Sequence, residues 1–176
     1  METMLQPPRT GMEVFEMLPA GTFCQLINNN IIMSPAATPS HQNLVAKLFN
    51  AIDRKVQLND LGQTFFSPID VYLNRTNAYQ PDIVFVAKNR LHIINWEKGI
   101  MAAPDLVIEI LSRGNKKYDK VDKKKVYESS GVKEYWLVDY KTKWCEGFEL
   151  INGKFLSLGE TTGRIHIKLL DVVFSF

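Results

Sequence analysis

The chain contains few of the residues that form disulfide frameworks and zinc sites. Its 176 residues include only two cysteines, Cys24 and Cys145, and neither belongs to a Cys-x-x-Cys motif or to a cluster of cysteine and histidine. These absences argue against a disulfide-rich secreted domain and against a structural zinc site. Both cysteines are expected to be buried thiols.

Long hydrophobic runs and the residue pattern of a secretory signal are also not found in the sequence. No stretch approaches the roughly 18 consecutive apolar residues of a membrane helix, and segment 1–11 lacks the basic region and apolar run of a secretory signal. We therefore expect a cytoplasmic protein with no membrane partner. Hydrophobic residues make up 45% of the chain and no internal repeat occurs, which predicts a single globular domain over residues 1–176 with a flexible segment 1–11.

Positive charge is concentrated in one short segment. The net charge of the whole chain is +2, but residues 113–125 carry seven basic and two acidic side chains, so the rest of the chain is net negative. Such a segment favours a polyanion such as DNA, although a charge run by itself is more often a solvated helix face. The lysines expected to face solvent and to hold phosphates are Lys116, Lys117, Lys120 and Lys124.

The first third of the chain predicts two helices and a hairpin. A short helix over Met12–Leu18 precedes two apolar runs that flank Asn28-Asn29-Asn30, a sequence typical of a tight turn. A longer helix is predicted from His41 to about Lys55, with Ser40 as its N-cap, because apolar residues recur there at helical spacing.

The remainder predicts strands interrupted by one helix, over Lys116–Ser130 and ending at Gly131. Two of the runs are apolar on both faces, which indicates strands that are covered on both sides. The order of the predicted helices and strands favours an α/β fold with a mixed central sheet. The predicted strands are Val71–Leu73, Asp82–Ala87, Leu106–Leu111 and Tyr135–Val138, followed in the tail by Trp144–Leu150, Lys154–Leu158 and Ile165–Leu169.

Glu109 interrupts an otherwise apolar strand. An unpaired ionised carboxylate in such a place costs several kcal/mol, so Glu109 needs a partner. Asp82 opens another covered strand, and its carboxylate can meet that of Glu109 across neighbouring strands. Oxygen ligands with room for water suit Mg²⁺ or Mn²⁺, so we expect the two residues to bind one such ion. The alternative is two buried ion pairs with arginine or lysine.

Lys123 lies where the polar face of the third helix meets its apolar face. Asp119, Lys123 and Tyr127 recur at a spacing of four residues, so the Lys123 ammonium can point inward. A lysine beside two carboxylates and a metal suits hydrolysis of a phosphodiester. It can orient or help to deprotonate water and can stabilise the charge that develops on phosphorus.

These residues belong to a longer set of motifs. The set comprises Met33-Ser34-Pro35 with His41, Gln80-Pro81-Asp82-Ile83, the segment Ala103 to Ser112, and Tyr127 with Gly131 to Asp139. Between about Phe15 and Phe148 the chain resembles the Uma-type restriction-endonuclease-like family of the PD-(D/E)XK nuclease superfamily. The resemblance implies a restriction-endonuclease-like core in the order αβββαβ, to which the sequence pattern adds an N-terminal helix and hairpin and extra C-terminal strands. It also implies a Mg²⁺-dependent DNA endonuclease with Asp82 and Glu109 as metal ligands.

Two positions depart from the pattern of that family. The lysine of the superfamily's Glu-x-Lys motif would fall at Leu111, so the following helix has to supply it, and Lys123 is the match. In that family an acidic residue usually precedes Met-Ser-Pro, and in this chain Asn28-Asn29-Asn30 stands there instead. An amide can coordinate a cation but cannot act as a base, which leaves Asn30 as a candidate auxiliary ligand.

His41, Asp70 and Asp105 are further auxiliary candidates. His41 matches a family position and could contact a phosphate, although a single histidine at a helix start is more often a cap or a packing residue. Asp70 lies in a predicted strand, and Asp105 follows a proline. The tryptophans Trp96 and Trp144 could stack on nucleic-acid bases. Trp136 lies inside an apolar strand and is expected in the core.

The sequence thus predicts a metal-dependent endonuclease that hydrolyses DNA phosphodiester bonds. Cutting both strands would favour a two-fold homodimer. The alternative is a non-catalytic nucleic-acid-binding or interaction protein on a nuclease fold, which the asparagine run favours. A phosphatase or another metal-dependent hydrolase of small phosphoesters is a third interpretation.

Overall fold

A mixed six-stranded sheet forms the centre of the computed structural model, which describes residues 10–19, 21–111 and 118–176. One neighbouring pair of its strands is parallel and the others are antiparallel. In spatial order the strands are β12 (Lys154–Thr162), β11 (Trp144–Ile151), β10 (Glu134–Val138), β9 (Leu106–Ile110), β6 (Ile83–Ala87) and β3 (Gly62–Phe66). The parallel pair is β9 and β10.

A second six-stranded sheet contains the predicted hairpin. Asn28 and Asn29 form its turn with φ angles of 49° and 65°, the left-handed conformation that asparagine tolerates. In spatial order the strands are β2 (Asn30–Met33), β1 (Cys24–Ile27), β5 (Asn77–Tyr79), β4 (Val71–Asn74), β8 (Gly99–Ile100) and β7 (Ile94–Asn95). The other elements are α1 (Gly11–Glu16), α2 (Pro39–Leu58), a 3₁₀ helix (Lys88–Ile93), a π-helical turn (Tyr118–Lys123), α3 (Lys124–Ser130), and a small sheet of β13 (Arg164–Ile167) and β14 (Val172–Ser175).

The helix α2 covers one face of the central sheet. Its cap is Thr38, whose hydroxyl accepts the His41 backbone N–H, and Pro39 occupies the first turn. The predicted cap at Ser40 is therefore wrong, because the proline extends the helix by one residue ahead of it. No helix in the described part of the chain is long and apolar enough to span a membrane. The buried apolar residues of α2 recur at helical spacing and are Leu44, Val45, Leu48, Ile52 and Val56.

The predicted αβββαβ order of the core is present along the chain. Its elements are α2, β3, β6, β9, α3 and β10. The predicted strand over Val71–Leu73 is confirmed as β4, but it lies in the second sheet. The first strand of the core is β3, which the sequence pattern does not predict. β3 is an edge strand that begins with glycine and contains two polar residues, so its apolar pattern is weak. The strands β4 and β5 are thus an insertion between β3 and β6.

The central strand β9 is buried on both faces, as its sequence indicates. Leu106 and Ile108 belong to the apolar cluster that includes α2. Val107 and Leu111 point the other way, into a cluster with Tyr127 of α3. Glu109 shares this second face because side chains alternate along a strand.

Asp105 anchors the beginning of β9. Its fully buried carboxylate contacts the guanidinium of Arg90 at 3.0 Å and the ammonium of Lys133 at 2.7 Å, and it accepts the Ala87 N–H at 2.9 Å. Burial alone would raise the pKa of Asp105, but the Ala87 amide and the two cations hold it below its ordinary value. This cluster joins β9 to the end of β6 and to the start of β10.

We expect Asp105→Asn to lower the free energy of unfolding by about 2 kcal/mol at pH 7, because two cations lose their buried counter-charge. Since the pKa of Asp105 is depressed on folding, this stabilisation is present above the ordinary value of 3.8 and is lost as the pH falls through the lower folded value. Urea denaturation should therefore show a difference in free energy of unfolding between parent and variant that narrows below the folded pKa of Asp105. A difference that is constant with pH would contradict the ionic role.

Candidate active site

A cavity of about 570 Å³ opens between the ends of the two large sheets. Asp82, Glu109, Ile110 and Lys123 lie on its floor. Asp82 precedes β6, and the register that pairs Ile83 with Ile108 brings it opposite Glu109 on β9. The structure thus brings together the three residues that the sequence singles out for the chemistry.

Glu109 has its partners inside the chain. The ammonium of Lys123 lies 2.9 Å from Glu109 Oε1, and the hydroxyl of Tyr127 donates to the same oxygen at 2.7 Å. The Glu109 and Lys123 side chains are 5% and 3% exposed, so the pair is almost fully buried. The prediction that Glu109 needs a partner is confirmed, and the ion pair is the one that the sequence leaves open as an alternative to a metal.

Tyr127 is a neutral donor at this position. Burial, together with the negative charge of Glu109, raises the pKa of Tyr127 well above its ordinary value. The phenol therefore stays protonated and its hydrogen bond holds the Glu109 carboxylate. Tyr127 follows Lys123 by four residues, so one face of the helical segment carries both contacts.

Asp82 is held from two sides. Its Oδ2 atom accepts the Ile110 N–H at 2.7 Å and lies 3.3 Å from His41 Nε2. His41 Nε2 also lies 3.0 Å from the carbonyl oxygen of Ile110, and because a carbonyl can only accept, Nε2 carries the hydrogen. His41 is therefore a member of the site and also the third residue of α2.

The electrostatics favour the charged form of His41. Burial alone would lower the pKa of His41, but the hydrogen bond and charge of Asp82, the Ile110 carbonyl and the charge of Glu109 together raise it above 6.5. Each of the two carboxylates thus has a cationic or ionisable neighbour supplied by the protein. The site is compensated in charge through two separate contacts.

The floor offers oxygen ligands that suit a hard divalent cation. Asp82 and Glu109 line the same cavity, and Mg²⁺ needs only one or two carboxylates because it keeps several waters. No group of three or more histidine, cysteine, aspartate or glutamate residues suited to a metal is formed by the described residues. Two carboxylates with room for water are a donor set of the kind that Mg²⁺ or Mn²⁺ accepts.

Three of the auxiliary candidates do not line this cavity. Asp105 lies at the opposite end of β9 in its own ion-pair cluster. Asn30 is exposed in the hairpin, where its amide donates to the carbonyl of Asn28. Asp70 lines two smaller clefts and accepts a hydrogen bond from Gln80 at 2.9 Å, and burial raises its pKa. Since Gln80 also lines the cavity, Asp70 is connected to the site through this amide.

The basic segment is described only in part. Lys116 and Lys117 lie outside the described residues, as does the side chain of Lys120. Lys124 differs from the expectation of a solvent-facing lysine: it is half-buried, with its ammonium 3.4 Å from the centroid of the Phe148 ring. Its position in the first turn of α3 directs it towards the central sheet. Lys125, the next residue, is exposed.

Several cavity residues are not predicted from the sequence. Gln25 is a buried polar residue in the otherwise apolar strand β1, the same signal that identifies Glu109, and it could have been found. Phe23, Tyr140 and Lys141 also line the cavity, but each follows or precedes a strand without any motif. Of the three tryptophans, Trp136 is buried as predicted, and Trp96 is exposed in a different cleft.

Comparisons with known proteins agree with this architecture. A solved structure described as "a putative nuclease belonging to DUF820 from Anabaena variabilis ATCC 29413" superimposes with a TM-score of 0.75 at 17% sequence identity, covering 93% of this chain and 92% of that chain. The likeness shows the restriction-endonuclease-like fold. No curated protein matches the sequence.

A family model gives the assignment of the chain. The model of the Uma2 family, described as "Putative restriction endonuclease", matches residues 12–167. The match includes the helix α2, the strands β6 and β9, and the segment that carries Lys123. Family and fold together support a nuclease. The chain therefore belongs to the Uma2 family of restriction-endonuclease-like proteins.

Proposed function

We propose that the protein is a metal-dependent endonuclease that hydrolyses DNA phosphodiester bonds with Asp82, Glu109 and Lys123. The observation that carries the proposal is the convergence of these three side chains on the floor of one cavity. Hydrolysis of a phosphodiester requires positioning and stabilisation of negative charge more than it requires covalent chemistry. Two carboxylates that accept a hard cation, beside a buried lysine, supply both.

Each residue has a distinct role in the proposed mechanism. Asp82 and Glu109 would hold a divalent cation, which would neutralise the charge of the phosphate and lower the pKa of a bound water. Lys123 stabilises the charge that develops on the phosphate oxygens during attack by water. Tyr127 holds Glu109, and His41 holds Asp82 together with the Ile110 backbone, so both carboxylates keep their orientation.

The basic segment is the proposed contact with the flanking DNA. Its lysines supply point charges without a bidentate fork for reading base edges, so binding is expected to depend on phosphates and not on sequence. Two copies of the chain, related by a two-fold axis, would place one cavity on each strand of a duplex.

One observation favours a second candidate function. Both carboxylates already have partners within the chain, Lys123 for Glu109 and His41 for Asp82. A site that is stable without a cation is also compatible with a nucleic-acid-binding protein that no longer cleaves. Metal binding separates the two functions.

We expect isothermal titration with Mn²⁺ to show one site that is lost in Asp82→Asn and in Glu109→Gln, because each variant loses one of two charged ligands. Asp105→Asn is the matched control, since it changes a buried carboxylate of the same strand region at a distance from the cavity. Its affinity should equal that of the parent. If all three variants bind Mn²⁺ equally well, the shared site is wrong.

We expect Lys123→Met to lower the rate of plasmid cleavage by about 10²-fold or more, the scale of losing one transition-state stabiliser. Its affinity for Mn²⁺ should be unchanged or higher, because the competing cation on Glu109 is removed. Lys125→Ala is the control and should keep the parental rate at saturating DNA, since an exposed lysine contributes equally to the ground and transition states. The reverse pattern, with Lys125 required and Lys123 dispensable, would contradict the assigned role.

The logarithm of DNA affinity is expected to fall linearly with the logarithm of salt concentration. Combined substitution of Lys116, Lys117 and Lys120 by alanine should reduce the size of this slope by up to about three, near one for each phosphate that a lysine neutralises. Fluorescence anisotropy over a series of salt concentrations measures this slope. Lys154→Ala, which changes a lysine side chain with 77% exposure on β12, should leave the slope unchanged. An unaltered slope in the triple variant would show that the segment does not contact DNA.

A further inference from the structure

The walls of the cavity differ in chemistry from its floor. The floor carries Asp82, Glu109 and Lys123, whereas most of the accessible surface of the lining as a whole is apolar, although polar residues contribute to it. Apolar surface of this kind suits the faces of nucleic-acid bases, which stack well on aromatic side chains. The residues that give the walls this character are Phe23, Pro35, Ala36, Ala37, Pro68 and Tyr140.

We propose, on the basis of the endonuclease function above, that the cavity takes an unpaired nucleotide of a DNA strand. The base lies against Phe23 and Tyr140, and the phosphate to be cleaved reaches the floor. The substrate class is thus DNA that is single-stranded at the cleavage position, as in a free strand, a gap or a frayed end.

Access to the reacting groups supports this substrate. The side chains of Glu109 and Lys123 are 5% and 3% exposed, so a phosphate has to enter the cavity to reach them. The volume of about 570 Å³ lies within the range of roughly 300–1,000 Å³ that holds small ligands. A nucleotide stacked in a duplex can enter such a space only when it leaves the stack, which costs a few kcal/mol. An unpaired nucleotide avoids that cost.

The two aromatic residues are placed for stacking at the site. Phe23 is 51% exposed and lines the cavity, so its ring is accessible to a base that enters there. Tyr140 makes an edge contact with the ring of His41 at a centroid distance of 6.2 Å, which places it beside the residue that holds Asp82. Phe23 lies just before β1 and Tyr140 just after β10, so different sheets contribute the two rings.

The charge at the cavity also suits a nucleotide. Lys141 is exposed, lines the cavity and has its ammonium 5.6 Å from the Tyr140 ring centroid. It can therefore contact a phosphate that flanks the stacked base. Lys141 thus supplies a cation beside the Tyr140 ring, while the floor holds the groups proposed to act on the phosphate that is cleaved.

Binding of one labelled oligonucleotide sequence, single-stranded and fully paired, tests the proposal with the full chain in EDTA. Phe23→Leu should weaken binding of the single strand by about 5- to 100-fold, the scale set by one base stacked on an aromatic ring, and should affect the duplex little. Trp96→Leu is the control, since it removes an exposed aromatic ring outside the cavity and should leave both affinities unchanged. Tyr140→Leu should act like Phe23→Leu. A 2-aminopurine base in the single strand should be quenched on binding to the parent but not to Phe23→Leu.

Cleavage with Mg²⁺ or Mn²⁺ provides the second measurement. We expect the single strand and a gapped duplex to be cut at least about tenfold faster than the fully paired DNA, since only the latter pays for unstacking. Equal cleavage of paired and unpaired DNA, or single-strand affinity that is unchanged in Phe23→Leu, would overturn the inference and leave the endonuclease function intact. If no DNA is cut with either metal, the endonuclease function fails, and the binding measurements in EDTA still decide whether the cavity takes an unpaired nucleotide.

Discussion

The burial of the Glu109 carboxylate in a strand that is covered on both faces is the constraint on which the arrangement of the site depends. A charge in that place requires a cation and a hydrogen-bond donor within reach. Both come from the helical segment between β9 and β10, where Lys123 and Tyr127 contact the same carboxylate oxygen. Parallel strands require a crossover connection, so the segment that links β9 to β10 returns across the sheet and can cover Glu109. The topology and the chemistry thus support each other.

Much of this floor could be predicted from the sequence because its signals are local. A carboxylate in an apolar strand, an aspartate at the start of another strand, and a lysine four residues before a tyrosine each stand out within a few residues of the chain. The predicted meeting of Asp82 and Glu109 required only that β6 and β9 be neighbours, which they are. The helix α3 ends at Gly131, with φ of 89°, as the glycine indicates.

The features that the sequence does not reveal depend on contacts between distant segments. The contact of His41 with the Ile110 carbonyl joins positions 69 residues apart, and a lone histidine gives no indication of its partner. The strand β3 is not predicted because an edge strand needs fewer apolar positions, so its sequence pattern is weak. The basic segment predicts solvent-facing lysines, but Lys124 packs over Phe148, a ring of the central sheet that no local pattern connects with it. The cap of α2 could have been assigned correctly, since proline at the first helical position places the cap at Thr38.

The floor of the cavity comes from the central sheet, and its walls come from both sheets. Asp82 and Glu109 lie on or next to strands of the central sheet, Phe23 is attached to the second sheet, and Tyr140 follows β10. The two sheets also share one apolar cluster, in which Tyr79 of β5 packs on Tyr127, the residue that holds Glu109. Exchange of the whole second sheet would therefore disturb the packing behind the reactive groups. Substitution of an exposed residue such as Phe23 can alter what enters the cavity and leave this shared core in place.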